Sequence, residues 1–338
     1  MRALFIGGTG NISSACSRLA LEQGWELHLL NRGRSGSTIP GATSIVADIT
    51  DEAAVAAAIG DTRYDVVANF IAFDAADIER DHRLFGSRCG QYIFVSSASA
   101  YQKPQGHYLV TESTPLVNPY WEYSRKKIAA ELACQRLFRD SGFPITIVRP
   151  SLTYDTVIPL TLASWTDWTM IQRMRDGKPV IVPGDGSTLW TITHSADFAI
   201  AFLGLMGHHK AIGDSFHITS DEVLNWNQIH ELTAAAAGVD SIDIVYIPSR
   251  DIARVLPWEL GSLTGDKSVS AVFDNSKVKT LVPHFHAGIR YQEGIARTLA
   301  WFEADPARIS VNQTIDGKLD AMVAAQRDFA AALDALRL

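Results

Sequence analysis

Cysteine is scarce: Cys16, Cys89 and Cys134 are the only three in 338 residues, and no C-x-x-C pair occurs. An odd, scattered set argues against a disulfide framework or a thiolate zinc site and fits a reducing compartment. A surplus of positive charge is also missing. Thirty Lys+Arg stand against 37 Asp+Glu, for a net charge of −7. With no basic stripe or tail, the chain lacks the electrostatic footprint of a nucleic-acid or anionic-membrane partner. No apolar run is long enough to span a bilayer. The chain passes from Met1-Arg2 straight into an apolar segment, which leaves no room for a signal peptide. These absences predict a soluble, cytoplasmic protein. Low-complexity linkers, internal repeats and blocks of like charge are absent as well.

What is present is ordinary globular material, 47% hydrophobic and 20% charged, in a chain long enough for two interlocked domains. Short apolar runs recur at Ala3–Ile6, Trp25–Leu30, Ser44–Ala47, Val66–Asn69, Tyr92–Val95 and Ile145–Val148. Segments of helical period lie between them, such as Ser13–Gln23 and Asp51–Ile59. This alternation predicts an α/β fold with a doubly wound parallel sheet buried on both faces. Beyond Pro150 the rhythm predicts helices at Trp165–Arg175, Ser195–Met206 and Trp226–Ala237, and short strands at Pro179–Pro183 and Phe216–Ile218. The boundaries expected are 1–155 for a nucleotide-binding domain and 156–338 for a smaller substrate domain, with segments near 179–220 returning to the first. The tail from Gly317 carries Leu319, Met322, Ala325, Phe329 and Leu333 on one helical stripe, read as core or a subunit contact.

Gly7-Gly8-Thr9-Gly10-Asn11-Ile12-Ser13 follows the first strand and opens the first helix. Gly7 suits a turn closed to larger residues, and Gly10 leaves space where a pyrophosphate would meet backbone N–H groups at the positive end of a helix. The spacing is G-x-x-G-x-x-S rather than the dinucleotide fingerprint G-x-G-x-x-G. After the second strand come Asn31-Arg32-Gly33-Arg34, with no carboxylate for a ribose 2′-hydroxyl. Arg32 and Arg34 offer guanidinium forks for a 2′-phosphate, so NADP is favoured over NAD; the alternative is two solvated arginines. Asp48 is placed either to meet an adenine amino group or to cap the helix near Asp51.

Tyr123 and Lys127 stand one turn apart at the start of a helix expected to reach about Arg139. An ammonium about 4–5 Å from a phenol, at an effective dielectric near 20, favours phenolate by roughly 3–4 kcal/mol. That effect predicts a lowered phenol pKa and makes Tyr123 a candidate acid–base group. The fifth strand delivers Ser96 to Tyr101 at its C-terminal end, where open α/β sheets bind ligands. There Ser97 is a candidate donor to a reacting oxygen.

Together these residues resemble the short-chain dehydrogenase/reductase superfamily, in its extended, NAD-dependent epimerase/dehydratase-like branch. The likeness runs from Gly7 to about Phe216. It includes Arg149-Pro150 before Tyr154, the turn Gly184-Asp185-Gly186, and His194-Ser195-Ala196-Asp197. The resemblance implies a Rossmann-type domain, with Ser97, Tyr123 and Lys127 catalytic. Gly7, Gly10, Asn11, Ile12, Asn31, Arg32, Arg34, Asp48, Asn69, Lys127 and Pro150 would bind coenzyme. Ser99, Tyr154, Trp190 and His194 would bind substrate. Members of the branch often form homodimers through the helix bearing the Tyr/Lys pair.

Two departures bear on the reaction. Dehydratases of the branch follow the catalytic Ser/Thr with Asp-Glu, and here Ala98-Ser99 stand there, so dehydration is disfavoured. Nucleotide-sugar enzymes carry an Arg after the Gly-Asp-Gly turn, and here the equivalent is Trp190, which can stack on a sugar but cannot neutralise a diphosphate. An unactivated sugar or similar polyol is therefore the expected substrate, with Trp121 a further contact and Trp165 and Trp168 read as packing. His194 is either a substrate contact or a cap for the next helix. His107 and Tyr108 fall in a loop that can face substrate. His284-Phe285-His286 lacks a nearby acidic partner in sequence and is read as a loop pair, so no metal is expected.

The resulting expectation is an NAD(P)-dependent oxidoreductase or epimerase acting on a secondary alcohol of a sugar-like substrate. The rival is a non-catalytic protein on the same fold, either an NADP(H) sensor or an RNA binder, because the chain also resembles the chloroplast stem-loop RNA-binding offshoot of the superfamily.

Overall fold

The computed structural model describes residues 1–33 and 38–336. Its centre is a seven-stranded sheet. In chain order its strands are β1 (Arg2–Ile6), β2 (Glu26–Asn31), β3 (Thr43–Val46), β4 (Tyr64–Asn69), β5 (Cys89–Val95), β6 (Ile145–Pro150) and β7 (Ser215–Ile218). They lie side by side as β7-β6-β5-β4-β1-β2-β3, all parallel. Five helices flank the sheet: α1 (Asn11–Glu22), α2 (Glu52–Ile59), α3 (Ala75–Phe85), α4 (Glu122–Ser141) and α5 (Ser195–Leu205).

The apolar runs behave as a sheet covered on both faces requires. Along β1, Ala3 and Phe5 join one core with Phe198 and Phe202 of α5, while Leu4 and Ile6 join another with Ile78 of α3 and Ala130 of α4. Every residue of β6 is buried. Strand order reverses between β1 and β4, which opens a crevice at the C-terminal ends of those strands.

A third core, built around Trp168, Trp190, Trp226 and Tyr291, belongs to the second half of the chain. Short ladders tie it to the sheet: Leu152–Tyr154 with Ile192–His194, and Leu109–Val110 with Val272–Phe273. β7 and α5 return to the first body, α5 packing on α1.

One element differs from expectation. The helix predicted from Trp165 begins only at Thr169, because the Asp167 carboxylate accepts the Thr169 N–H and starts the helix there. The tail helix, Gln313–Asp334, buries Leu319, Met322 and Val323 but leaves Phe329 and Leu333 exposed, so its stripe is core for only the first half. Among the described residues no helix is long and apolar enough to cross a membrane.

Candidate active site

The glycine turn after β1 is shaped by contact as well as by backbone angle. Gly7 has φ +80°, and a Cβ there would lie 2.4 Å from Ile71 Cγ2. At Gly8 a Cβ would lie 2.4 Å from Leu29 Cδ2, so this glycine, absent from the sequence argument, lets the turn press against β2. Ser13 does more than stay small: its Oγ donates to the Gly7 carbonyl at 2.6 Å and accepts the Gly10 N–H at 2.8 Å. Gly10 precedes α1 without a side chain to cap it, leaving the N–H groups of the first turn to an incoming anion.

That turn forms one wall of a cavity of about 480 Å³ that reaches across the ends of β5 and β6 into the third core. Gly7, Gly10, Asn11, Ile12 and Pro150 line one end; Ser97, Ser99, Tyr123, Lys127 and Trp190 line the other. The serine turn after β5 and the start of α4 thus meet across a single space. Ser97 Oγ and Ser99 Oγ are 2.9 Å apart, and Ser124 Oγ donates to Ser99 Oγ at 2.9 Å. Lys127 Nζ donates to the carbonyls of Ala72 at 2.7 Å and Val95 at 3.0 Å, and stands 5.9 Å from the centre of the Tyr123 ring.

The electrostatics differ from the sequence expectation. Burial pushes the Tyr123 phenol above its ordinary value; a hydrogen bond with Ser97 pulls it back, and the Asp266 carboxylate raises it again. Lys127 is not a source of that shift. Its ammonium is itself buried, which lowers its pKa to about 8, and is held by two carbonyls. Without coenzyme the site therefore presents a protonated phenol.

A smaller hollow of about 320 Å³ continues from Gly7 and Gly10 to Asn31 and Arg32, with Ala47 and Ile49 beside them. Arg34 lies outside the described residues. The Asp48 carboxylate accepts from the backbone and hydroxyl of Thr50, and Asp51, not Asp48, caps α2. Asn69 does not reach either space. Fully buried, it donates to Asp81 and its Oδ1 accepts the N–H groups of Ile71 and Ala72, so it shapes the loop whose Ala72 carbonyl holds Lys127.

At the far end the structure corrects the expectations for Tyr154 and Trp190 and decides between the two alternatives for His194. Tyr154 is wholly buried, its ring against His194 and Tyr291, and it does not line the cavity. His194 pairs with it across the short parallel ladder, and its Nδ1 accepts the Ala196 N–H as the cap of α5. Both side chains turn into the core because the ladder sits between the two bodies. Trp190 does line the cavity, but it is 2% exposed, with Trp226 at 5.5 Å and the Lys267 ammonium 4.4 Å from its ring centre. It is packed rather than held open for a sugar. Trp165 lines the cavity, whereas Trp168 is buried packing as expected.

Sequence reasoning missed Asp266 and Lys267, which line this end from a π-turn at Leu263–Lys267. Lys267 Nζ bonds Asp266 Oδ2 at 2.7 Å, and Lys103 Nζ lies 3.4 Å from Asp266 Oδ1. Nothing in the local spacing marks them, because they reach the site only through the packing of the second body. Among the described residues no group of His, Cys, Asp and Glu forms a metal cluster.

A model of the NAD dependent epimerase/dehydratase family matches residues 3–219. The chain belongs to that family. It is 26% identical over 259 residues to the chloroplast stem-loop binding protein of 41 kDa b from Arabidopsis thaliana, covering 72% of this chain and 65% of that protein, just under two thirds of its length. It is 25% identical over 286 residues to 2′-dehydrokanamycin reductase from Streptomyces kanamyceticus, covering 84% of this chain and 80% of the relative. The structure of UDP-glucuronic acid 4-epimerase from Bacillus cereus, in complex with UDP-glucuronic acid and NAD, superposes with a TM-score of 0.71 at 17% identity, covering 90% of this chain and 99% of that one. At that identity the match speaks to the fold.

For a member of this family the residues present fit a pyridine dinucleotide. Gly7 and Gly10 line the cavity, a side chain at Gly7 would run into Ile71 beside it, the start of α1 is uncapped, and among the described residues Asn11 Oδ1 is buried without a partner.

Proposed function

We propose that the protein is an NAD(P)-dependent oxidoreductase or epimerase acting on a secondary alcohol, or the matching ketone, of a sugar-like substrate. The observation that carries this reading is the continuous cavity joining the glycine turn to Ser97, Tyr123 and Lys127. When bound, the nicotinamide supplies or accepts the hydride. Gly7, Gly10 and the first turn of α1 would hold its pyrophosphate. Lys127, pinned to the Ala72 and Val95 carbonyls, would orient the ribose beside Tyr123. Arg32 supports a preference for NADP, since no carboxylate lines that hollow to select a free ribose hydroxyl.

The protonated Tyr123 phenol suits the reductive direction: it donates its proton to the substrate's carbonyl oxygen while Ser97 bonds the same oxygen. In the oxidative direction the phenolate takes that proton back. Ala98 and Ser99 next to Ser97 offer no carboxyl pair to remove water, so dehydration is disfavoured. The substrate reading is a sugar without a nucleotide, because Trp190 stands where nucleotide-sugar enzymes of the branch carry an arginine. A homodimer through α4 fits the exposed Leu132 on that helix. The printed name of the Arabidopsis relative raises an RNA-binding alternative, which the net charge of −7 does not favour.

The test is a panel of sugars and keto-sugars assayed with each coenzyme by nicotinamide absorbance. Tyr123→Phe is expected to cut kcat/KM by about 10²–10⁴-fold while the melting temperature stays unchanged. Full activity in that variant, or no calorimetric uptake of either coenzyme, would overturn the reading. Substrate interconversion without net absorbance change would mark an epimerase.

A further inference from the structure

From the far end of the cavity we infer that the substrate carries an oxyanion, a carboxylate or a phosphate ester, which Lys267 receives; the inference rests on the functional reading above and names the substrate class for the same site. The wall there holds two ammoniums and one carboxylate. Asp266 is shared between Lys103 and Lys267, at 3.4 Å and 2.7 Å, and all three side chains are less than a tenth exposed. Lys267 is the ammonium that lines the cavity; Lys103 does not.

Among the described residues Asp266 is the only oxygen partner of Lys267 Nζ, while the rest of the ammonium faces the Trp190 ring at 4.4 Å. An ammonium has three N–H donors. A buried cation with donors to spare and only a shared carboxylate is poorly compensated, and a ligand anion repairs that deficit. The half-buried Glu259 carboxylate feels Lys267's charge but forms no ion pair with it among the described residues and does not line the cavity. Trp190 thus has a different task from stacking on a sugar: its face holds the ammonium at the wall.

One cavity of about 480 Å³ takes in both the glycine turn and Lys267. Asp266 and Lys267 border the same cavity as Tyr123, and the Asp266 charge raises the phenol. A substrate ammonium would meet a carboxylate already shared by two lysines, and Lys267 repels it. An amino sugar is therefore disfavoured here, although one relative is named a dehydrokanamycin reductase.

The experiment is titration calorimetry on the full chain with glucose, glucuronate, glucose 6-phosphate and glucosamine, with and without coenzyme. At least one of the two anions is expected to bind about tenfold or more tighter than glucose, with glucosamine weakest; which anion wins tells carboxylate from phosphate. Lys267→Met should bring the anions to the affinity of glucose, and Lys267→Arg should keep the gap. Equal binding of glucose and both anions, no binding of either anion, or an unchanged preference in a folded Lys267→Met overturns the inference. If Lys267→Met fails to fold, the wild-type panel with Lys267→Arg decides alone. The two readings fail separately: full turnover in Tyr123→Phe removes the acid–base reading and leaves the charge preference standing, whereas lost preference leaves Tyr123 where it was.

Discussion

Gly7 combines a left-handed backbone with a neighbour that leaves no space, and each condition alone would select glycine. A Gly7→Ala variant must hold φ near +80° and displace Ile71, whose N–H is fixed by Asn69. We expect a loss of about 1–3 kcal/mol in urea unfolding, together with weaker coenzyme uptake. Gly10→Ala, whose Cβ meets only Ser13 Oγ at 3.4 Å, should be far milder for stability, and the contrast between the two checks the assignment. Tyr123 illustrates the opposite situation, where identity is readable but state is not. A spacing of four residues places phenol and ammonium on one face; burial then raises the phenol, and two carbonyls take up the ammonium.

Among elements, the joint between β5, α4 and β6 is the one that fixes the site. Ser96, at the end of β5, donates to Glu131 of α4 at 2.5 Å. Arg149 of β6 grips the same carboxylate through Nε and Nη2, at 2.9 and 2.6 Å, and reaches Tyr101 through Nη1 at 3.0 Å. Glu131 is one turn beyond Lys127, so its bonds tie the helix that bears Tyr123 to β6 through Arg149 and to the end of β5, just before Ser97, through Ser96. Removing one charge would strand the other without solvent. Glu131→Gln is expected to destabilise the protein by about 3–5 kcal/mol, read from chemical unfolding, whereas breaking an exposed pair such as Arg83–Glu52 should leave stability nearly unchanged. The double variant Glu131→Gln with Arg149→Met should recover part of the loss, because no unpaired buried charge then remains.

At the scale of the whole molecule, two buried histidines predict sensitivity to acid. Burial lowers both His217 and His230 to about 4 from an ordinary value of 6.5. The neutral His217 ring donates through Nε2 to the Asp274 carbonyl and pairs through Nδ1 with the Tyr101 hydroxyl at 3.1 Å, with a Glu112 carboxylate oxygen 3.6 Å from Nδ1. Between 6.5 and 4 the unfolded chain takes up protons that the folded chain refuses. Stability from these two groups is thus complete above 6.5 and is lost as the pH falls toward 4. The loss amounts to up to ~3 kcal/mol per histidine. The urea midpoint should fall between neutral pH and about pH 4, and His230→Gln should flatten that fall. A midpoint independent of pH over this range would show that the two rings are not held neutral.

What the sequence determined by itself is the part written in local periods. Alternation of apolar runs with helical segments fixes the parallel sheet, since strands buried on both faces need continuous hydrophobicity. The glycine turn, the serines after β5 and the Tyr/Lys pair are set by neighbours within a few residues, so spacing alone brings out their placement. Only the tertiary structure decided the far end of the cavity. Asp266 and Lys267 arrive there from more than a hundred residues beyond Tyr123, carried by packing that no local pattern encodes. Tyr154 and His194, close in sequence to residues that line the site, are turned into the core by a two-stranded ladder whose register depends on both bodies. Charge states fall on the same side of the division, because desolvation is a property of everything packed around a group and not of the residues beside it in the chain.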